Sequence, residues 1–312
     1  MLKFVSTLAL TVLLTSCEFG DFGPADRFQS DFHYAYNLTP DGKVNIESQN
    51  GSIEISGWDD NKVDISGTKY GSTEQLRDAV KIDLHNTPDS VDVRTIRPTG
   101  RIGNSGVRYT IRVPRKAQLD RITTTNGSIH VHDVATAAHL KSTNGSIRAE
   151  NIGGDVDAHT TNSSIDVGSI RGNAVMRSSN GRIQADNIGG ECDAETTNSS
   201  IKVRLENAPS TPIRLITSNG SIDLAMEKAP KNDIRAQTRN SSITVRLPAT
   251  TSARVTADTS NSSISSDFEM RTQMDEDRRK HHLEGTIGGG GPHIDLSSSN
   301  GRIRLVRGSS GD

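Results

Sequence analysis

The sequence predicts an all-β chain wound as a parallel β-solenoid, with coils of 18 to 21 residues and an irregular β cap at the N-terminal end. Three observations carry this prediction. Asn followed by Gly or Ser recurs at a fixed interval, the residues around each such Asn alternate apolar and polar, and large side chains are scarce, with 4% aromatic residues against 28 glycines. A fixed period means that each unit is one equivalent piece of structure.

The pairs stand at Asn126, Asn144, Asn162, Asn180, Asn198, Asn219, Asn240 and Asn261, with outliers at Asn50 and Asn300. From Asn126 the steps are 18 residues four times, then 21 three times, then 39. Three residues after each of the eight comes Ile129, Ile147, Ile165, Ile183, Ile201, Ile222, Ile243 or Ile264, and two further on are mostly Val, Ala or Leu. Four before Asn stand Ile122, Leu140, Ala158, Met176, Ala194, Leu215, Ala236 and Ala257, and two before is always Thr or Ser.

Period-two alternation on both sides of the Asn marks two strands, each with one buried face. The buried parity changes across the Asn, so the Asn is expected to be a corner in a left-handed conformation. A second corner is expected at Gly153-Gly154, Gly172 and Gly189-Gly190. Eighteen residues at about 3.3 Å each give a contour of about 60 Å, enough for two short strands and two corners. One coil per unit sets like on like, about 4.8 Å apart. The Asn column can then pass amide hydrogen bonds from coil to coil. Outward columns such as Arg148, Asp166, Gln184, Lys202 and Asp223 are polar and read as solvated surface.

The flanks are less regular. Residues 28–117 hold alternating runs at Lys43 to Glu47, Ser52 to Ile55, Lys62 to Ile65, Ser90 to Arg94 and Val107 to Val113, with Thr73 to Ala79 as a short helix. An open solenoid end is a sheet edge that invites aggregation, so this segment is assigned as the cap to a repeat domain over 118–307. Residues 269–286, with Asp275-Glu276-Asp277-Arg278-Arg279-Lys280-His281-His282, read as an exposed loop or hairpin inserted in the final coil, and 308–312 as a flexible tail.

At the other end, Lys3 precedes an apolar run from Phe4 to Leu14 that is too short to span a bilayer. Leu14-Thr15-Ser16-Cys17 resembles the bacterial lipobox, which implies a signal peptide over 1–16, acylation of Cys17 and a linker over 17–27. Loss of residues 1–16 removes Lys3 and no acid, moving the formal charge from -2 to -3. The expected partners are therefore a membrane, through the N-terminal lipid, and a protein or a glycan. No basic patch argues for nucleic acid. The only other cysteine is Cys192, so an acylated Cys17 leaves no intrachain disulfide.

The Asn-Gly-Ser-Ile units, the Val113-Pro114 step into the first regular coil, and Leu283-Glu284-Gly285-Thr286-Ile287 with the Gly288 to Gly291 run ahead of Asn300-Gly301-Arg302-Ile303 carry a family likeness. With them the chain resembles the bacterial putative-adhesin family of unknown-function domains over nearly all of its mature length. The resemblance implies the solenoid architecture and an adhesin-like role.

Little in the chain reads as catalytic chemistry. His130 and His132 alternate outward, with Glu150 one coil on, but a metal site needs three or four ligands with support behind them, so surface histidines are the expectation. Gly153-Gly154-Asp155-Val156-Asp157 lacks the recurrence of calcium-binding rolls, and the glycines at 288–291 lack a following Lys-Ser or Lys-Thr. A polysaccharide-cleaving solenoid needs aromatic platforms, and the single tryptophan, Trp58, lies outside the regular coils. The expectation is a non-catalytic lipoprotein without cofactor, lipid-anchored in the envelope, on the outer membrane in a two-membrane cell. It would be an adhesin-like surface or binding module or, alternatively, a periplasmic scaffold or envelope-stress component that binds a protein partner, with a polysaccharide-active β-helix enzyme as the last alternative.

Overall fold

Each Asn-centred unit forms one coil, because its two alternating strands can bury their apolar faces only against each other and against the units above and below. The computed structural model describes residues 26–97, 103–209, 211–271 and 280–308. Within them the chain is all-β, with two long, mostly parallel sheets facing each other across one apolar lumen. Ile129, Ile147, Ile165, Ile183, Ile201, Ile222 and Ile243 pair in turn along one sheet. All seven are at most 1% exposed. The facing column from Ile122 through Met176 to Ala257 is equally buried.

Two hydrogen-bond ladders hold the corners. The Nδ2 of each corner Asn donates to the Oδ1 of the next, in one direction along the whole stack, at 2.6–2.8 Å. The column ends at Asn50, whose Nδ2 donates to the Ser105 carbonyl. Inside it runs a buried hydroxyl ladder from the Thr or Ser two residues before Asn. Thr160 Oγ1, for example, donates to the Gly145 carbonyl (2.9 Å) and Ser178 Oγ to the Ser163 carbonyl (3.1 Å). From Ser142 to Thr259, and at Ser298, this Thr/Ser serves the backbone of the neighbouring coil. Thr124 makes no such bond, and at the N-terminal end Thr95 Oγ1 donates to Ser48 Oγ (3.5 Å).

The corner Asn residues are not in the left-handed region. Positive φ in non-glycine residues occurs instead at Asp133, Asn151, Ser169 and Asn187, seven residues after a corner Asn. At the Asn corner glycine is used for space: a Cβ on Gly181 would stand 1.6 Å from the Ser163 carbonyl oxygen.

Both ends depart from simple winding. The first strands are β1 (Phe28–Asn37), β2 (Lys43–Glu47), β3 (Ile53–Trp58) and β4 (Lys62–Gly71), then helix α1 (Glu74–Ala79) capped by the Thr73 hydroxyl, β5 (Lys81–Thr87), β6 (Ser90–Ile96), β7 (Ser105–Pro114), β8 (Gln118–Thr123) and β9 (Ile129–His132). The coil of β2 and β3 lies between the coil of β6 and β7 and that of β8 and β9, which follow one another in sequence. The 28–117 segment, expected as a cap, therefore divides. Residues 43–58 form a coil that carries Asn50 into the ladder and sets Ile53 on Ile129, whereas antiparallel β1, β4 and β5 close the end. One continuous core runs from Leu38 to Leu305, with no break at residue 117.

The C-terminal end repeats the device. His293–Ser298 and Ile303–Gly308 slide between the coil of Ile234–Thr238 and Ile243–Pro248 and the coil of Ala253–Thr259 and Ile264–Ser266. Asn300 therefore sits between Asn240 and Asn261 in the ladder. Ile264, expected in the core column, is on the last rung and only partly buried, while Ile303 takes the internal place at 0% exposure. The 269–286 insertion is not simply a loop. Met270–Arg271 and His282–Ile287 are antiparallel strands, the second laid on Ala253–Thr259, and together they cover that sheet edge. Residues 272–279 of the charged run, like the 309–312 tail, lie outside the described residues.

A charge inside the Ile column has no partner. Ile165→Asp or Ile183→Asp should cost more than about 3 kcal/mol and abolish the cooperative melt followed by circular dichroism. Ile264→Asp, on the open rung, should cost clearly less; equal damage at all three positions would contradict the threaded C-terminal coil.

Candidate functional site

The four left-handed residues line a groove along one edge of the solenoid. Along one strand of each 18-residue coil the buried positions run Ile129, Val131, then Val134, or Ile147, Ala149, then Ile152. The residue before the third buried position, such as Asp133 (φ 60°) or Asn151 (φ 56°), takes up the odd step by turning left-handed. Asn and Asp tolerate that conformation because their short side chains bond locally. In the 21-residue units Ile201, Val203 and Leu205, or Ile222, Leu224 and Met226, continue straight, and the three extra residues go into the loop that follows.

The corners leave a groove of about 660 Å³ lined by six corner segments, from Arg115 through Asp133 to Glu206 and Asn207. Val134, Ile152, Ile170 and Ile188 lie beneath it. Its sides repeat short polar groups from coil to coil at Asn151, Ser169 and Asn187, with Arg171 exposed near the middle. The polar groups are pre-set. Asn151 Nδ2 donates to Asp133 Oδ1 (3.2 Å), and Asn187 Nδ2 donates to Glu206 Oε1 (3.0 Å) while its Oδ1 accepts from the Glu206 amide (3.0 Å). Arg115 Nε donates to Asp59 (2.7 Å) and its Nη1 to the Asp133 carbonyl (3.3 Å). Hydrogen bonds from His132 and Asn151 hold the Asp133 carboxyl below the usual carboxylate range. Two arginines and two acids balance the rim, so the groove offers hydrogen bonds without a dominant charge.

The residues singled out from the sequence fall elsewhere. Cys17 lies outside the described residues. His130 and His132 share the outer face, with ring centres 5.2 Å apart, and His130 Nε2 is 3.8 Å from Glu150. No cluster of three or more His, Cys, Asp or Glu among the described residues is arranged to hold a metal ion. Asp155 Oδ1 accepts from the Asn173 amide (2.7 Å), and Asn173 Oδ1 from that of Glu191 (2.8 Å), so this acid braces the second corner. Trp58 lies under the Arg112 guanidinium (4.3 Å) and donates to the Lys62 carbonyl. His282 bonds Asp258. Cys192 is a core residue between Ala174 and Ile213, its thiol pushed up to about 12 by burial and therefore unreactive. The groove was legible in the 18-residue spacing of Asp133, Asn151, Ser169 and Asn187, but these differ in type and were hidden among other polar residues.

A family model described as Toastrack DUF4097 matches residues 38–306. Three solved structures are similar in part. A putative cell adhesion protein from Clostridium sporogenes is 10% identical, covering 89% of this chain and 100% of its own, at a TM-score of 0.22. A putative adhesin from Bacteroides fragilis is 11% identical, covering 89% and 97%, at 0.28. A putative lipid binding protein from Parabacteroides distasonis is 13% identical, covering 89% and 97%, at 0.36. No curated protein matches.

Left-handed backbone at Asn151 predicts an ordered response to substitution. Asn151→Val should lose about 1–2 kcal/mol in urea unfolding, because a branched Cβ is strained at positive φ. Asn151→Gly should lose clearly less. The reverse order would contradict the kink.

Proposed function

The chain belongs to the Toastrack DUF4097 family, and from that premise we propose that it is a non-catalytic binding module of the cell envelope, anchored through lipid on Cys17, that holds an extended glycan along the groove from Arg115 to Asn207. The observation that carries this reading is the repetition of short polar side chains from coil to coil above an apolar strip. Strands in a sheet repeat at about 4.8 Å, so the groove offers the same donors and acceptors at a regular spacing, which suits a polymer better than a compact ligand. Asn151, Ser169 and Asn187 match hydroxyl groups, and the buried Val134, Ile152, Ile170 and Ile188 beneath them fix the floor that holds these groups in place. The balanced rim suits a neutral or weakly charged chain.

The lipobox-like Leu14-Thr15-Ser16-Cys17 supports the anchor. Acyl chains contribute about 0.8 kcal/mol per buried CH₂, so a multiply acylated cysteine holds durably where one chain would not. The adhesin-like reading is preferred over a periplasmic scaffold because no aromatic side chain lines the groove and its large aliphatic residues are buried, whereas protein interfaces centre on apolar and aromatic anchors.

Affinity electrophoresis against a panel of soluble polysaccharides tests the site. Arg171→Glu combined with Ser169→Asn, which keeps a left-handed-tolerant residue, should weaken binding at least tenfold, about 1.4 kcal/mol, with an unchanged melting temperature. Undiminished binding in that variant, with loss on Asp166→Arg at the outer face, would move the site out of the groove. Cys17→Ser should abolish metabolic palmitate labelling.

A further inference from the structure

We infer that the N-terminal end of the solenoid is a membrane-docking surface, at which an aromatic row on β1 settles among the headgroups of the anchoring bilayer while the rest of the rod stands clear of it. The docking rests on the lipidation of Cys17 proposed above.

The end has the shape of a step. From it inward one sheet runs β1, β4, β7, β3 and the other β5, β6, β2. Because β2 and β3 share a coil, as do β6 and β7, strand β4 is level with β5, and β1 overhangs both by one strand. The inward face of the overhang carries Phe28, Phe32, Tyr34 and Tyr36. The ring centre of Phe32 is 5.8 Å from that of Tyr109 and 5.7 Å from that of Tyr34, so the row continues the core outward. No strand among the described residues stands opposite it. Phe32 and Tyr36 are therefore only partly buried, as are Ile82 and Leu84 of β5 below them, and Tyr34 is 38% exposed. Further in, the same rows are closed: Ile65, Tyr109, Val93 and Ile46 are at most 2% exposed.

Two observations make a lipid surface the occupant. The first is where the apolar surface lies. The exposed large hydrophobic residues among the described ones are Tyr34 and Ile96, and Ile96 belongs to β6, the strand behind β5. At the opposite end Phe268, Leu283 and Ile287 are at most 8% exposed, so that end is closed. The second is where the anchor must be. The chain enters the fold beside β1, where Asp26 pairs with Arg108 of β7 and its carbonyl accepts from Gln29 Nε2 (3.1 Å). Cys17 is nine residues before Asp26, a reach of at most about 30 Å. A stack of 13 strands spaced by about 4.8 Å is about twice as long. The acylated cysteine thus holds the open end near the bilayer and leaves the closed end beyond its reach.

The chemistry of the row sets the depth. Tyrosine has an apolar ring and a polar tip, which suits the boundary between headgroups and acyl chains. The outer edge of β1 has no strand partner among the described residues, and its N–H and C=O groups need water or headgroups, which hydrocarbon does not supply. Strand β1 therefore lies at headgroup depth. The outer faces of the two edge strands carry both signs, at Asp31, Lys81, Asp83 and the neighbouring His33 and His85, so docking needs no anionic lipid.

Fluorescence quenching in proteoliposomes tests this. The acylated full chain is labelled at Ala35→Cys on β1, at Gln184→Cys in the middle coils, or at Gly289→Cys near the far end, where a Cβ meets nothing within 4 Å. The lipid blocks the Cys17 sulfur, and Cys192 is buried. In phosphatidylcholine vesicles with a nitroxide at headgroup depth, the Ala35 label should lose about half of its emission or more, and the other two almost none. Tyr34→Asp should cut that loss at least in half while the chain still co-sediments with the vesicles and melts as its parent does. Co-sedimentation without quenching at Ala35 overturns the docking and leaves the anchor standing, whereas a chain that stays in the supernatant overturns the anchor and the docking with it. Equal quenching at all three labels means a rod lying flat, and undiminished quenching in folded Tyr34→Asp means that the row does not dock; either overturns the proposal. So does an Ala35 label shielded from lipid and from aqueous iodide alike in chains that crosslink to one another, which marks the end as a contact between copies.

Discussion

A side-chain amide has a donor and an acceptor on opposite sides, and at the corner of a stacked coil only another amide at the same height satisfies both. That constraint fixes this fold. The Asn column runs from Asn50 to Asn261 with a single direction of donation, so every coil is held in phase with its neighbours. Each such bond contributes about 0.5–1.5 kcal/mol net, and less where water competes. Its value lies in register: once the Asn residues align, the Ile column stacks on itself and the Thr/Ser hydroxyls meet the carbonyls they serve. A slip by one residue would reverse every buried face.

A solenoid held this way still has two raw ends, and both are finished by threading. The first coil, β2 and β3, and the last, His293–Ser298 with Ile303–Gly308, each sit between two coils that are consecutive in sequence. Neither terminal coil can peel off as an outer layer, since each is hydrogen-bonded on both sides. The outermost positions go to antiparallel pieces, β1, β4 and β5 at one end and the His282–Ile287 hairpin at the other. The C-terminal hairpin covers its sheet edge, whereas β1 and β5 leave theirs open.

The winding, the coil length and the core columns were legible because identical residues at identical spacing can mean only equivalent places. The order of the last coils was not, since Asn261 and Asn300 offer the same corner chemistry and either could follow Asn240. Partial exposure of Ile264 is the consequence. The left-handed kinks were missed for a related reason: the conformation accepts Asp, Asn or Ser, so Asp133, Asn151, Ser169 and Asn187 share a backbone shape without sharing a side chain. The Asn corner was expected to hold that shape, but its parity change is made by glycine or serine packed against the coil below. Strands β1 and β5 were also missed. Their alternation is plain in Phe32-His33-Tyr34-Ala35-Tyr36, but an edge strand with exposed polar residues carries a weaker signal than a buried one.

The repeat itself offers the most direct test. Deleting residues 163–180 joins Asn162 to Gly181 and removes one whole coil, so the shortened chain should keep a cooperative melt and the β-sheet circular dichroism of the parent. Deleting 17 or 19 residues at the same place changes the parity of the strand beyond the junction and should leave the chain unfolded or aggregated. If the 17-residue deletion melts as cooperatively as the 18-residue one, the register set by the Asn column does not control this fold.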